Sequence, residues 1–498
     1  MWLEGFAIAL EPHNLLYLLV GTAVGLFVGV LPALGAMFGI VIMLPFTFHM
    51  PAVTSIIMLV AIHAAAIYGD SITSILINTP GGVGSVASCW DGYPMAKQGK
   101  SATALGISTM GSLLGGIIGW LTLAAIAPLL TAFAIKIGAA EYFVLGIMAL
   151  SLLSIAARGE TIKGVILAGF GLLLAFIGQD PVEGLNYRFT FSTSYLEDGL
   201  PLVSATVGLF ALSQAMLLLE EGGTIAEVFA LSGSLWEGMK EALRRPLTVL
   251  RGGMIGIWIG ILPALGVSAA NIIAYFTEKR ASRDPDSFGK GNPAGLLAPE
   301  VSKNACGVGD MIPTFTLGIP GSASTAILLV ALTIHGLEPG PRFFLSGTEP
   351  YAVFAGILLA QLAFFICGLL LAPYFSKVVF IPNAILGPLV ILLSFIGAYA
   401  MRNRLLDVFI TIIFGLIGYF LYKLHWPSPC LILGLVLGDL VEGNFHRALQ
   451  IGDDSYLVFF TRPISLVLII ITAIFMLWPY LAQAIGKIGR RRKTPLPL

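Results

Sequence analysis

Two aspartates, a histidine and a lysine stand at matching places in this chain of 498 residues. His63 precedes Asp70 by seven positions, Lys303 precedes Asp310 by seven, and the second pair follows the first at an offset of 240. Seven residues is close to two helical turns, so each basic-capable group shares a helix face with its aspartate. In the second pair the face is longer, because Glu300, Lys303, Asn304, Gly307 and Asp310 follow steps of three and four. Ionisable groups in an apolar helix are costly and tend to face an interior or a wet cavity. Asp70, Asp310, His63, Lys303, Glu300 and Asn304 are therefore the expected cation- or proton-coupling set, with Na+ or H+ as the coupling ion. The plainer alternative is a set of structural ion pairs at a helix interface.

A Pro-Gly phrase follows each aspartate. The first comprises Asn78, Thr79, Pro80, Gly81 and Gly82 with Ser85, and the second Gly318, Pro320, Gly321 and Ser322 with Ser324. Proline removes a backbone donor and glycine permits a turn, so a helix must stop there and can restart. A restarting helix presents free N–H groups and a positive dipole end, which suit a carboxylate. These residues are the expected substrate-binding set; the alternative is a turn at the membrane surface.

The elements that must position these groups are apolar helices. Apolar residues make up 57% of the chain and charged residues 11%, less than half the roughly 25% of a soluble domain. Residues 12–69 contain no Asp, Glu, Lys or Arg, and uncharged runs recur at 101–135, 199–219, 252–277, 311–337, 350–376, 378–401 and 463–486. A helical span needs about 20 apolar residues, so an all-α polytopic membrane protein with roughly ten to thirteen segments is expected. This excludes a soluble enzyme, a nucleic-acid binder and a secreted disulfide scaffold. Nor does the pattern suit an outer-membrane barrel, whose strands alternate over about ten residues. Cys89, Cys306, Cys367 and Cys430 form no CxxC or zinc spacing, so no metal centre is expected beyond a coupling Na+. The stretch Met1–Glu11 lacks a basic cluster and is expected to insert uncleaved. Basic residues gather in short loops and in the tail Arg490–Lys493, which the positive-inside rule assigns to the cytoplasm.

One phrase occurs twice. Gly25 to Gly35, with Leu31-Pro32-Ala33-Leu34-Gly35, matches Gly256 to Gly266, with Leu262-Pro263-Ala264-Leu265-Gly266, at an offset of 231. The later block, Gly69-Asp70 through Pro80-Gly81, matches Gly309-Asp310 through Pro320-Gly321 at 240. Insertion in the polar loop Ser282–Asn292 accounts for the difference. Two ordered blocks at nearly one offset indicate duplication, and Gly/Pro-interrupted segments in corresponding places point to a secondary transporter. The expected organisation is a first membrane repeat at 1–220, a polar cytoplasmic connector at 221–250, a second and inverted repeat at 251–486, and a basic cytoplasmic tail at 487–498. Pro32, Gly35, Pro263 and Gly266 are the expected hinges. Basic clusters flank the 252–277 run at both ends, so it either enters the membrane and returns or forms one long tilted span.

These blocks resemble the large membrane subunit of the tripartite tricarboxylate transporters. The resemblance covers most of the chain and includes Tyr68-Gly-Asp-Ser71, Asp91-Gly-Tyr-Pro-Met95, Phe288-Gly-Lys-Gly291, Ala298-Pro-Glu300, Leu317-Gly-Ile-Pro-Gly-Ser322 and His335-Gly-Leu-Glu-Pro-Gly-Pro341. It implies a bacterial inner-membrane carrier of organic carboxylates, cation-driven, with elevator-like movement of a domain holding both Pro-Gly tips. It also implies a small four-helix membrane subunit and a periplasmic binding protein as partners; a homo-oligomer is compatible with it. The chain departs from the family pattern at Asp70 and Asp310, where small residues are usual, and at Lys303-Asn304, where Asn-Asn is usual. Those departures admit a proton-coupled carrier of a different solute working without a binding protein. Gly307-Val-Gly-Asp310 also resembles an intramembrane aspartyl protease fragment, but the accompanying Pro-Ala-Leu phrases come in the wrong order. A channel would need rings of charge or carbonyls along a pore. A transporter rather than an enzyme is expected.

Overall fold

The computed structural model describes residues 1–31, 34–134, 137–156, 161–180, 187–221, 232–262, 266–378, 383–474 and 476. Pro32, Pro263, much of the expected connector and the basic tail lie outside the described residues. The chain divides into two compact units, one formed by Met1–Ile135 with Pro201–His425 and the other by Lys136–Leu200 with Trp426–Leu498.

The first unit begins with α1 (Trp2–Ala9), α2 (Pro12–Val30), α3 (Gly35–Thr47), α4 (Ala52–Ile77), α5 (Val86–Lys97) and α6 (Ser101–Ala134). The chain then contributes α7 (Ala139–Ala156) and α8 (Thr161–Ala175) to the second unit. Back in the first unit come α9 (Leu202–Thr206) and α10 (Ser213–Glu221), joined by a π-helical stretch over Val207–Leu212 into one apolar span, then α11 (Leu235–Leu243), α12 (Pro246–Ile261) and α13 (Gly266–Ala281). They are followed by α14 (Pro293–Gly309), α15 (Met311–Leu317), α16 (Ala323–Ile334), α17 (Glu349–Val378), α18 (Asn383–Arg402) and α19 (Leu405–Lys423). α20 (Ser428–Ile451), α21 (Val458–Thr461) and a further apolar helix over Pro463–Ile474 belong to the second unit. Among the described residues the strands are Gly178–Gln179 and Tyr187–Arg188, paired antiparallel.

The chain is thus an all-α polytopic membrane protein. Among the described residues seven helices are long and apolar enough to cross a bilayer, and seven further apolar helices have 10–17 residues. Uncharged sequence runs are divided where the backbone turns. The 252–277 run becomes α12 and α13, which pack against each other, so it is not one long span. Proline opens several helices at their first turn, where its missing N–H costs nothing: Pro12 in α2, Pro246 in α12 and Pro293 in α14. Asn292 caps α14 by accepting from the Ala294 amide at 2.8 Å.

Two helices form the centre of the first unit. Every residue of α4 from Thr54 to Leu76 is buried, and so is every residue of α14 from Ala294 to Gly309. Helices apolar on all sides belong in such positions. Leu26, Leu105, Ile107 and Phe364 of neighbouring helices share one core with them. Tyr68 stacks on Phe364 at 5.2 Å and gives its hydroxyl a partner in Thr109 Oγ1 at 2.8 Å. In the second unit α8 crosses α20 where Gly171 meets Gly434, each leaving no room for a Cβ. There Arg188 grips Glu442 with two hydrogen bonds of 2.6 and 3.0 Å, and Arg462 donates to Glu141 at 2.8 Å.

Candidate functional site

Glycines bring the central helices close to their neighbours. A Cβ on Gly21, Gly25 or Gly29 of α2 would strike the carbonyl oxygens of Met58, Ile62 or Ala66 in α4. On α12, Gly252, Gly256 and Gly260 stand in the same way against Ala298, Ser302 and Cys306 of α14. Both ladders use a step of four, the spacing that lets membrane helices approach backbone to backbone. Both helices then end alike. Leu31 has φ −81°, ψ 121° and Leu262 has φ −79°, ψ 115°. Gly35 and Gly266 open α3 and α13 at φ +67° and +64°, a region glycine enters freely.

The two Pro-Gly tips are also matched. Asn78 ends α4 at φ 57°, ψ 26°, and Gly318 ends α15 at φ 71°, ψ 22°. Gly82 lies at φ −140°, ψ 173° and Ser322 at φ −148°, ψ 172°. Each tip folds back on an aspartate. The Gly81 amide donates to the Asp70 carbonyl at 3.2 Å, and a Cβ there would come within 2.7 Å of Asp70 Cα. The Gly321 amide donates to Thr314 Oγ1 at 3.3 Å, and its Cβ would come within 2.6 Å of Asp310 Cα.

Asn78 is exposed, Thr79, Pro80 and Gly82 are half-buried, and Gly81 and Ser85 are buried. In the second tip Gly318, Pro320 and Gly321 are buried while Ser322 and Ser324 are half-buried. Ser322 and Thr325 form a reciprocal capping box at the start of α16. The first tip differs. Its restarting helix gives the Ala87 amide to Asn271 Oδ1 of α13 at 2.8 Å, a cap the sequence reading did not identify.

The charged groups exchange partners between helices. Lys303 Nζ lies 2.5 Å from Asp70 Oδ1, contacts Ser71 Oγ directly, and stands 3.5 Å from Glu300 Oε2. His63 Nε2 lies 3.8 Å from Asp310 Oδ1 and donates to the Gly307 carbonyl at 3.1 Å. A carbonyl only accepts, so the ring proton is on Nε2. Seven positions along one helix separate two groups by about 10 Å, which prevents pairing within a helix. Because His63 meets Asp310 while Asp70 meets Lys303, α4 and α14 run head to tail.

The two ends of this crossing are not equivalent. At the Asp70 end, Glu300 accepts hydrogen bonds from Ser71 (2.7 Å), Ser88 (2.5 Å), Ser108 (2.8 Å) and Ser112 (3.2 Å). Asn304 donates to Ser112 Oγ at 2.8 Å and to the Glu300 carbonyl at 3.1 Å. Gly111 and Gly115 of α6 make this possible by leaving α14 room to approach. At the Asp310 end the Ser322 hydroxyl is near, yet neither carboxyl oxygen has a partner at hydrogen-bond geometry. His63 Nδ1 is likewise buried without one. The aspartates stand at opposite ends of the crossing with different partners, whereas a protease dyad shares one proton between its two carboxyls. Sequence reasoning missed Ser88, Ser108, Ser112 and Asn271 as members of the site. The four-residue step from Ser108 to Ser112, facing the Glu300 stripe, was the available signal.

A cavity of about 740 Å³ opens elsewhere in the first unit, lined by Arg244, Arg245, Arg251, Arg283 and Lys290 among others. It includes none of the expected site residues.

Fold and site together define a multi-pass helical membrane protein whose charged groups are enclosed between central helices. Its family is the Tripartite tricarboxylate transporter TctA family, which residues 15–433 match, and the chain belongs to it. That is a transporter family for tricarboxylate-type solutes whose members work with other subunits. The chain is similar to a protein of Agrobacterium vitis described as an uncharacterized 52.8 kDa protein in the TAR-I ttuC' 3' region. The two are 35% identical over 93% of this chain and 92% of the relative. A second Agrobacterium vitis protein, described as an uncharacterized protein in the TAR-II ttuC' 3' region, is 34% identical over 42% of this chain and 87% of its own length. No solved structure matches the chain.

Proposed function

We propose that the chain is a secondary active transporter importing a small organic carboxylate, of the di- or tricarboxylate class, by cation-coupled alternating access. Two inverted repeats carry the site, and the substrate is held between the tips Asn78–Gly82 and Gly318–Ser322, with Ser85 and Ser324 beside them. The crossed pairing of His63 with Asp310 and Asp70 with Lys303 carries this reading. Head-to-tail exchange of partners at one offset is the pattern a two-fold axis in the membrane plane generates, and inverted repeats use that axis. The matched caps at Asn78 and Gly318 and the matched glycine ladders support the same relation.

The half-buried first turn of α16, capped by Ser322, is the proposed seat of the anion, since a helix N-terminus favours negative charge. Asp310, whose buried carboxyl has His63 Nε2 at 3.8 Å and the Ser322 hydroxyl nearby but no partner at hydrogen-bond geometry, is the proposed seat of an exchangeable H+ or Na+, since a weakly compensated buried charge favours a counter-charge. Gly35 and Gly266 at positive φ, with Pro32 and Pro263, are the proposed hinges of an elevator-like movement. The expected setting is the bacterial inner membrane with the C-terminus cytoplasmic. The expected partners are a small four-helix subunit and a periplasmic binding protein.

The test is uptake by the purified chain in proteoliposomes, with and without candidate partner subunits, across a panel of labelled di- and tricarboxylates. Saturable uptake driven by an imposed Na+ or H+ gradient is expected. Uptake by the chain alone under an H+ gradient would favour a self-sufficient proton-coupled carrier, for which Asp70, Lys303 and Asp310 speak. Flux that neither saturates nor responds to a gradient would overturn carrier function in favour of a channel.

A further inference from the structure

The Asp70 end of the crossing already contains a cation, and that cation is covalently part of the chain. Lys303 is fully buried. Its ammonium has around it Asp70 Oδ1 at 2.5 Å, the Ser71 hydroxyl and Glu300 Oε2 at 3.5 Å. Two carboxylates and a hydroxyl are oxygen donors of the kind hard cations take. Those donors are themselves fixed in position. Glu300 is held by Ser71, Ser88, Ser108 and Ser112, and the Asp70 backbone oxygen accepts from Gly81, Thr73 and Ser74. The residue 240 positions before Lys303 is His63, which spends its Nε2 proton on the Gly307 carbonyl. Its neighbour Asp310 keeps both carboxyl oxygens without a hydrogen-bond partner. The two ends of the crossing therefore differ: one has an ammonium among its carboxylates, the other a histidine whose Nε2 proton goes to a carbonyl.

We propose that the Lys303 ammonium is a tethered substitute for a sodium ion, occupying a cation site built by Asp70, Ser71 and Glu300. Asp310 is then left as the one end of the crossing that takes an exchangeable ion. Without the ammonium, two buried carboxylates would face each other uncompensated, a strongly destabilising state. A cation, or a proton on one of the carboxyls, must therefore take its place. A free ion supplies positive charge reversibly and can travel with the solute. A lysine supplies it permanently and cannot leave. The site is thereby removed from the coupling stoichiometry while the charge balance of the core is kept. This deepens the transport reading by assigning unequal roles to the two ends, but the cation site itself can be tested without transport.

The experiment uses full-length protein in detergent carrying Asp310→Asn, so that the other end is silent. 22Na+ binding and thermal stability are measured in NaCl against N-methylglucamine chloride at equal ionic strength. With Lys303 present, neither measurement should respond to Na+. Adding Lys303→Asn should create saturable Na+ binding at one site and a Na+-specific rise in Tm. Adding Asp70→Asn as well should abolish both. Recovery of the Lys303→Asn protein in Na+ buffer only would be the same effect read as yield. Na+ binding that depends on Asp70 while Lys303 is present would overturn the proposal. So would a folded Lys303→Asn protein indifferent to Na+, or one recovered in neither salt. No step of this test needs substrate, so failure of uptake with every carboxylate would count against the carrier reading alone.

Discussion

Glu300 is a carboxylate enclosed mainly by hydroxyls, and that arrangement explains how three ionisable groups coexist in an apolar core. Hydrogen bonds to an ionised acceptor are roughly twice as strong as neutral ones, and Ser71, Ser88, Ser108 and Ser112 all supply them. Lys303 then spans Asp70 and Glu300. Removing one member of such a set leaves an uncompensated buried charge, at a cost of about 3–5 kcal/mol. Lys303→Met in sodium-free buffer should therefore lower stability by about that amount. Adding Asp70→Asn to it should recover part of the loss, giving a coupling energy of at least about 1 kcal/mol in a double-mutant cycle read by thermal unfolding. Additive losses would mean that the two side chains do not depend on each other. The ionisable members of this group were legible in sequence because they share helical spacing and one offset. Their partners were not. A stripe identifies a face but not the neighbour it meets, so the exchange between helices emerged only in three dimensions. The serines were hidden for a related reason. A serine in an apolar helix commonly bonds back to the carbonyl four residues earlier, as Ser74 does to Asp70 and Ser154 to Leu150, and only the close approach of α6 to α14 gives Ser108 and Ser112 a different target.

At the scale of elements, glycine ladders set the positions of α4 and α14. The phrase shared by Gly25–Gly35 and Gly256–Gly266 was readable as a repeat. Its packing role was not, because the contacted carbonyls lie about 40 residues downstream on another helix. Gly256 illustrates the constraint. A Cβ there would lie 2.8 Å from the Ala305 Cβ and 3.0 Å from the Cys306 amide nitrogen. Neither atom is the end of a flexible side chain, so relief requires the helices to separate. Gly256→Leu should destabilise the purified protein by at least about 1–3 kcal/mol, the usual cost of overpacking. Gly25→Leu should cost a similar amount against Ile62 and Ala65. By contrast, Gly169, around which no heavy atom lies within 4 Å of an added Cβ, should accept alanine with little change in Tm. A ladder variant as stable as wild type would show that close helix approach is not what holds these pairs. The uncharged 252–277 run admitted two readings at this scale. Proline and glycine permit a turn without requiring one, and α12 packing on α13 rules out the single long span.

Across the whole molecule, matched backbone turns and glycine ladders combine with unlike residues at His63 and Lys303. The sequence conveyed the polytopic helical class directly, since composition and run length alone force backbone groups to pair within helices in lipid. It did not convey which runs would be full spans. That depends on where turns such as those at Asn78 and Gly318 interrupt them, and the described helices range from four residues to 34. The functional consequence of the asymmetry concerns energy conversion rather than binding. If the Asp70 end is permanently filled by Lys303, gradient energy enters at Asp310. A carrier with that position neutralised still has both tips, the backbone turns at Gly35 and Gly266 and an intact Lys303 cluster. Asp310→Asn should then still exchange labelled for unlabelled carboxylate across a proteoliposome membrane. It should no longer accumulate carboxylate against a concentration difference, because ion movement is not linked to solute movement. The two measurements are made on the same vesicles, so a folding defect, which would remove both, is separated from uncoupling, which removes only accumulation. Accumulation by Asp310→Asn with unchanged ion dependence would move the coupling site elsewhere in the chain.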